Sequence, residues 1–334
     1  MKEKSLVELK KLVEENNMDA IYELASRNYY GKGIEQNYEE AFKGYLIASE
    51  NGIVDASYMV AFCYYYGKGV EIDYNKAFSM FCELEKENND DDIQYMLAEC
   101  YYFGRGTEEN FNKAYKIFSE LVEKNNAADA RFMIGMCLYY GKGIEGNPEK
   151  AVEIFKILIQ ENNEDIDSKY MLALAYFEGV GIDEDYNKAI DMFNELVERY
   201  DDEESKHRLG EIYLNKGIVY REGNGVEKDL QKALEYMMKS AEFNNAEGQF
   251  WVGYMYFQGE GTETDDKKAV EWLEKASKQN NDMAQRILGM LYLEGKENGI
   301  EIEENKEYGI ELLKKSAEQG NEDAINKLKE INNI

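Results

Sequence analysis

"YYYGKGVEIDYNKAF", residues 64–78, runs from three tyrosines through a Gly-Lys-Gly triplet to an aspartate and a Lys-Ala pair. Two glycines this close serve either a loop that cradles phosphate or a turn between two helices. The rest of the chain decides, because the triplet returns. It stands at Gly31-Lys32-Gly33, Gly67-Lys68-Gly69, Gly104-Arg105-Gly106, Gly141-Lys142-Gly143, Gly179-Val180-Gly181, Gly223-Asn224-Gly225 and Gly259-Glu260-Gly261. An eighth copy is stretched, from Gly295 to Gly299. The first glycines lie 36, 37, 37, 38, 44, 36 and 36 residues apart. A phosphate loop occurs once per site; copies at a near-constant period are one structural unit repeated.

Each unit reads as two helices. Helix A precedes the first glycine, with apolar or small residues 11, 7, 6 and 3 positions upstream: Ala56, Val60, Ala61 and Tyr64 in the second copy, Ala284, Leu288, Gly289 and Tyr292 in the eighth. That spacing lies on one helical face. The sixth position is small (Ala25, Ala61, Ala98, Gly135, Ala173, Gly253, Gly289), which lets a neighbouring helix approach. Six residues after the first glycine stands a helix N-cap: Asn37, Asp73, Asn110, Asn147, Asp185, Asp229 or Asp265. Glu40 is placed to complete a capping box with Asn37. The only proline, Pro148, follows Asn147, at a position where a helix tolerates it. Helix B then carries an early small residue (Ala41, Ala77, Ala114, Ala151, Ala189, Ala233, Ala269, Gly309) and ends at Asn-Asn or Asn-Gly pairs, residues suited to left-handed backbone.

The ends fit an array that needs caps. Residues 1–17 read as a capping helix and 321–334 as another, with repeats one to five over 18–200 and repeats six to eight over 201–320. The sixth repeat carries about seven extra residues, near two helical turns, so its helix A is expected to be longer and to protrude. A softer joint is expected near residues 200–225.

Composition excludes several classes. The chain has 334 residues and one proline, and 39 basic against 68 acidic residues leave a charge of −29. Such a surface repels nucleic acid and anionic membrane and attracts basic partners. No apolar run approaches a membrane span. The opening MKEKSLVELKKLVEENN reads as a charged amphipathic helix, not a secretory signal. With four cysteines, this suggests free thiols in a reducing cytoplasm.

The pattern Ala, Leu-Gly, Tyr, Gly-x-Gly-Val, Asp, Lys-Ala resembles the Sel1-like repeat family. "DMAQRILGMLYLEGKENG" and "GVEKDLQKALEYMMKSAEFNNAEGQFWVGYMYFQGEGT" carry it almost in full, and the resemblance covers about residues 18–333. The tetratricopeptide repeat is a near relative, with a shorter period and no Gly-x-Gly loop. The resemblance implies an all-α, right-handed solenoid of antiparallel helix pairs, and an adaptor that assembles other proteins. Secreted bacterial members of the family staple each pair with two cysteines. Here Ser57, Gln94 and Arg131 occupy the first cysteine position, so that stapling does not carry over.

Two positions before the first glycine stand Tyr29, Tyr65, Tyr102, Tyr139, Phe177 and Phe257; seven further back stand Tyr22, Tyr58, Tyr95, Phe132, Tyr170 and Phe250. At 100° per residue both sets fall opposite the core positions. One position before the glycine, copies one to four carry Tyr30, Tyr66, Phe103 and Tyr140, whereas copies five to eight carry Glu178, Glu222, Gln258 and Glu294. The start of helix A adds Asp19, Asp55, Asp92, Asp129 and Asp167 on the same side. Rings beside carboxylates suit arginine or lysine side chains. The expectation is a concave groove that binds a basic or amphipathic protein segment. The alternative is that the rings pack against the next repeat while the aspartates favour the helix N-terminus. A rival function is a regulatory subunit that docks on a catalytic partner through the sixth repeat.

Other candidates read as structure. Met59, Met96, Met133 and Met171 share a position at the flank of the core. Cys63, Cys100 and Cys137 share another, held elsewhere by Ala175, Val219, Met255 and Leu291, and act as small apolar residues. Cys82, on helix B, also reads as core. His207 is the single histidine and forms neither a zinc cluster nor a triad. The run at 88–92 lacks the spacing of a calcium loop, and Asp201–Glu204 reads as a solvated helix start. No cofactor, metal site or enzymatic activity is expected.

Overall fold

The computed structural model describes residues 5–87, 90–294 and 305–332. Among these residues are eighteen helices and no strand. The chain divides into two compact units, Met1–Ser168 with Gly179–Asp183, and Lys169–Glu178 with Glu184–Ile334. The fold is an all-α array of helix pairs. The stretched eighth triplet, and the Asn88-Asn89 end expected for the second helix B, lie outside the described residues.

In the first unit the A helices are α2 (Met18–Tyr30), α4 (Val54–Tyr66), α6 (Asp91–Phe103) and α8 (Ala128–Tyr140). They alternate with the B helices α3 (Tyr38–Glu50), α5 (Tyr74–Glu87), α7 (Phe111–Asn125) and α9 (Pro148–Glu161), after α1 (Leu6–Glu14), whose Leu9 is buried. The next pair is α10 (Ile166–Glu178), which belongs to the second unit from Lys169 on, and α11 (Tyr186–Tyr200). The second unit continues with α12 (Glu203–Glu222), α13 (Leu230–Glu242), α14 (Ala246–Gln258), α15 (Asp266–Lys278), α16 (Asp282–Glu294), α17 (Lys306–Glu318) and α18 (Glu322–Asn332).

The glycines do two different jobs. The first one ends helix A in left-handed backbone: Gly67, at φ 68°, caps α4 and donates its N–H to the Cys63 carbonyl. The second one seats each repeat on the one before. A Cβ on Gly69, Gly106 or Gly143 would collide with the carbonyl of Tyr38, Tyr74 or Phe111, the first residue of the preceding helix B. At Gly33 and Gly225 a Cβ would meet nothing within 4 Å. The first repeat has no helix pair before it, and the sixth is the lengthened one.

The N-caps form as expected. Asn37, Asp73, Asn110, Asn147, Asp185, Asp229 and Asp265 each accept the backbone N–H three residues on, at 2.9 to 3.1 Å. Asn305, hidden from the sequence pattern by the stretched loop, caps α17 in the same way. Each cap's own N–H returns to helix A, as Asp73 does to the Tyr64 carbonyl and Asn110 to the Tyr101 carbonyl. That return excludes the reciprocal capping box at Asn37: its N–H donates to the Asn28 carbonyl, and Glu40 pairs with Lys43 instead. At the ends of helix B, Gly52, Asn126, Asn244 and Asn280 take positive φ. Asn162 departs, with extended backbone at φ −135°.

The predicted core positions are buried: in the second repeat Val60, Ala61 and Tyr64 cluster with Ala77 and Phe81 of its helix B, and Ala56 with Ile21 and Ala48 of the first repeat. Met59, Met96, Met133 and Met171 join the core, as do Cys63, Cys100 and Cys137. All four thiols are free; Cys82 is half-buried. Polar pairs stand where the family's cysteine position is vacant. Ser57 lies 2.7 Å from Ser49, and Arg131 forms a two-pronged pair with Glu161.

α12 has 20 residues against 13 in α14, the extra length read from the sequence. Its added turns are packed and do not protrude. Counted back from Gly223, the added residues are 203–209: Ser205 and Leu209 are buried and Arg208 donates to the Tyr170 hydroxyl at 3.2 Å, while Glu203, Glu204 and His207 are exposed.

Candidate functional site

Along α2, α4, α6 and α8 three cavities follow one another and share walls. The first, about 280 Å³, is lined by Tyr22, Tyr30, Asp55, Tyr58 and Asp92 among others. The second, about 460 Å³, takes Tyr58 and Asp92 as a shared wall and adds Phe62, Tyr66, Tyr95, Glu99 and Asp129. The third, about 470 Å³, shares Tyr95, Glu99 and Asp129 and adds Phe103 and Phe132. Together they make a continuous groove in the first unit.

Two ring sets reach this groove, Tyr140 excepted, and one does not. The upstream set is half-buried, with each ring resting on the large ring of its own helix B: Tyr22 on Tyr45, Tyr58 on Phe81, Tyr95 on Phe118 and Phe132 on Phe155, all 5.6 to 5.9 Å between centroids. The last ring of helix A is open: Tyr30, Tyr66, Phe103 and Tyr140 are exposed. The set between them departs from the expected groove face. Tyr65, Tyr102 and Tyr139 retain only 1%, 3% and 7% of their surface. Tyr65 and Tyr102 stand edge-on to Tyr74 and Phe111, at the start of helix B. Tyr29 and Phe177 are half-buried and pack likewise on Tyr38 and Tyr186. This set therefore follows the alternative reading, in which the rings are core. In the first, second, third and fifth repeats the turn brings the opening aromatic of helix B back over helix A; in the fourth, where Pro148 opens helix B, Tyr139 lies 6.5 Å from the Phe155 ring.

Charge in the groove is one-sided. Asp55, Asp90, Asp91, Asp92, Glu99, Asp129, Glu161, Glu164, Asp165 and Asp167 line the three cavities, and no lysine or arginine does. Asp91 is held by Lys124 and Asn125, and Glu161 by Arg131. Asp55, Asp92 and Asp129 form no ion pair among the described residues. Burial, then the charges of Asp90, Asp91 and Asp129, raise the Asp92 carboxyl above its ordinary value.

Glu99 was missed by the sequence reading. It sits five residues before the first glycine, where the other repeats carry the uncharged Ser26, Phe62, Met136, Leu174, Ile218, Tyr254 and Met290. A lone charge in an otherwise uncharged register was the available signal. Its Oε1 accepts from Tyr95 at 3.2 Å and its Oε2 from Tyr66, one repeat earlier, at 3.3 Å. Burial raises the Glu99 carboxyl, opposed by the hydroxyls of Tyr95 and Tyr66, the charge of Arg105 and, least, the hydroxyl of Tyr65. Arg105 itself donates to the Tyr65 hydroxyl at 3.0 Å. His207, by contrast, is a surface side chain, 62% exposed and 3.4 Å from Glu211.

Comparison with known proteins then places the chain. The family described as Sel1 repeat matches residues 19–53, 54–83, 92–126, 128–163, 166–199, 204–242, 246–281 and 282–321. The chain belongs to the Sel1 repeat family. Sel1 repeats form a non-catalytic scaffold fold, and proteins built from them generally mediate protein–protein interactions. Among solved structures, this Sel1 repeat protein resembles one from Oxalobacter formigenes (TM-score 0.62, 20% identity, 97% of this chain and 90% of that one). It also resembles a protective antigen of uropathogenic Escherichia coli strains (TM-score 0.55, 26% identity), with 95% of this chain aligned and 64% of the antigen's length spanned. No curated protein matches the chain. Among the described residues no helix is long and apolar enough to cross a membrane.

Proposed function

We propose that this Sel1 repeat protein is a non-enzymatic adaptor that holds a basic, extended segment of a partner protein in the groove of its first unit. One observation carries the reading: three cavities that share walls, lined by open rings and ten carboxylates without one basic side chain. A cationic segment would relieve the repulsion around Asp92 and place its side chains over ring faces. The residues that meet it are Tyr22, Tyr30, Tyr58, Tyr66, Tyr95, Phe103 and Phe132 with Asp55, Asp92 and Asp129. The same charge disfavours nucleic acid and anionic lipid. Free cysteines fit a reducing compartment such as the cytoplasm. Docking through the sixth repeat has less support, because the one apolar residue of the added turns, Leu209, is itself buried.

The test is a pull-down from host lysate with wild type and with Asp55→Asn/Asp92→Asn/Asp129→Asn, followed by crosslinking mass spectrometry. The reading expects a partner lost in the folded variant, weakened by salt and crosslinked along α4 and α6 through a lysine- or arginine-rich segment. A partner retained by the variant and crosslinked elsewhere overturns it.

A further inference from the structure

The groove has one place where its charge lies inside the wall, and that place is built for a particular side chain. We infer that Glu99 anchors a single arginine of the bound segment, gripping its guanidinium two-pronged while neighbouring rings flank it. The inference rests on the groove reading and adds which residue the partner must carry.

Three features lead there. First, Glu99 stands in the shared wall of the second and third cavities, so a segment lying along the groove passes over it. Second, each carboxylate oxygen already accepts one tyrosine hydroxyl, Oε1 from Tyr95 and Oε2 from Tyr66. Beyond these two bonds each oxygen keeps about one acceptor site, with the Tyr65 hydroxyl near enough to act on the carboxylate as a further, weaker donor. That pair of sites matches the fork of a guanidinium and leaves half of the site unused by the single point of an ammonium. The two tyrosines fix the plane of the carboxylate, so the acceptors are pre-oriented.

Third, the carboxylate has hydroxyl partners but no ion partner of its own among the described residues. Among the described residues no lysine or arginine pairs with Glu99, although Arg105 is near enough to act on its charge. Arg105 is committed elsewhere, with its N–H on the Tyr65 hydroxyl and its plane over the rings of Tyr65, Tyr74 and Phe103. A half-buried carboxylate without an ion partner is costly, and a partner that supplies the cation recovers that cost on binding. On the open edge the ring of Tyr66 and the side of Phe103 away from Arg105 offer faces for stacking.

The probes are fluorescein-labelled dodecapeptides of alternating lysine and serine in which one central lysine is replaced by arginine or by citrulline. Citrulline keeps the shape and removes the charge. Affinity is read by fluorescence anisotropy at low salt for wild type, Glu99→Gln and Asp55→Asn/Asp92→Asn/Asp129→Asn, with circular dichroism melts as a folding control. Wild type is expected to prefer the arginine probe over both the citrulline probe and the all-lysine parent by about tenfold. Glu99→Gln should erase that preference while still binding all three peptides. The aspartate variant should weaken all three and keep the preference. If the peptides bind wild type and lose affinity in the aspartate variant, but arginine has no advantage or Glu99→Gln does not remove it, the anchor is wrong and the groove stands. If no peptide binds, or the aspartate variant binds as wild type does, the groove reading falls and the anchor with it.

Discussion

Alanine at Gly106 and alanine at Gly225 should behave differently, although both glycines hold almost the same backbone, φ 75° and 73°. Forcing an L-residue into left-handed backbone costs about 1–2 kcal/mol at either site. At Gly225 nothing stands within 4 Å of the new methyl, so that is the whole expected loss. At Gly106 the methyl runs into the Tyr74 carbonyl and comes within 2.8 Å of the Phe78 Cβ. Backbone must move, and overpacking of that kind adds about 1–3 kcal/mol. Gly106→Ala should therefore lose about 2–5 kcal/mol in all. Gly33→Ala, at φ 73° with nothing within 4 Å, supplies the control inside the first unit. The assay is urea unfolding followed by circular dichroism, with hydrogen exchange showing where protection is lost. In Gly106→Ala exchange should rise at the start of α5 and in the turn after α6, because a repeat array is held by nearest-neighbour contacts. Equal losses at Gly106, Gly33 and Gly225 would refute the claim that the second glycine seats one repeat on another.

Tyr102→Ala, from the buried ring set, should cost about 3–5 kcal/mol in urea unfolding, whereas Tyr30→Ala, 57% exposed, should cost less than about 1 kcal/mol; the reverse order would place the open and buried rings wrongly. Glu99 holds its proton more tightly folded than unfolded, so its contribution to stability falls as pH rises from the ordinary glutamate range through the raised value. Glu99→Gln should accordingly raise the melting temperature at neutral pH, with a gain that fades below the ordinary glutamate range; a gain that is constant across pH would contradict the burial argument. Asp229 has the opposite sign. The Lys232 N–H, then the Lys232 ammonium, hold its carboxyl below the ordinary aspartate range, so the cap's extra stability is present above that range and lost as pH falls through the depressed value. Asp229→Asn keeps an acceptor oxygen and should flatten that acid limb in melts taken across the acid range.

The repeat, its two helices, the caps and the small packing positions were legible because each depends on a short stretch of chain. A cap needs one side chain and the N–H three residues on, as Asn110 and Lys113 show. A left-handed turn needs one glycine, and a core stripe needs only the period of its own helix. Sequence alone thus determined that the protein is an array of Sel1-type helix pairs, where the helices begin, and that aromatics and aspartates crowd one side of the first repeats. Tertiary structure decided which rings remain open. Tyr65 and Tyr66 are neighbours in sequence, yet the turn folds Tyr74 back over the first and leaves the second exposed. It also decided what the second glycine touches and which side chains surround Glu99. Tyr66 reaches Glu99 across 33 residues, from one repeat to the next. Contacts of that separation depend on how consecutive helix pairs seat on one another. A 3.6-residue period within one helix carries no record of the ring or carboxylate that the next repeat will bring against it.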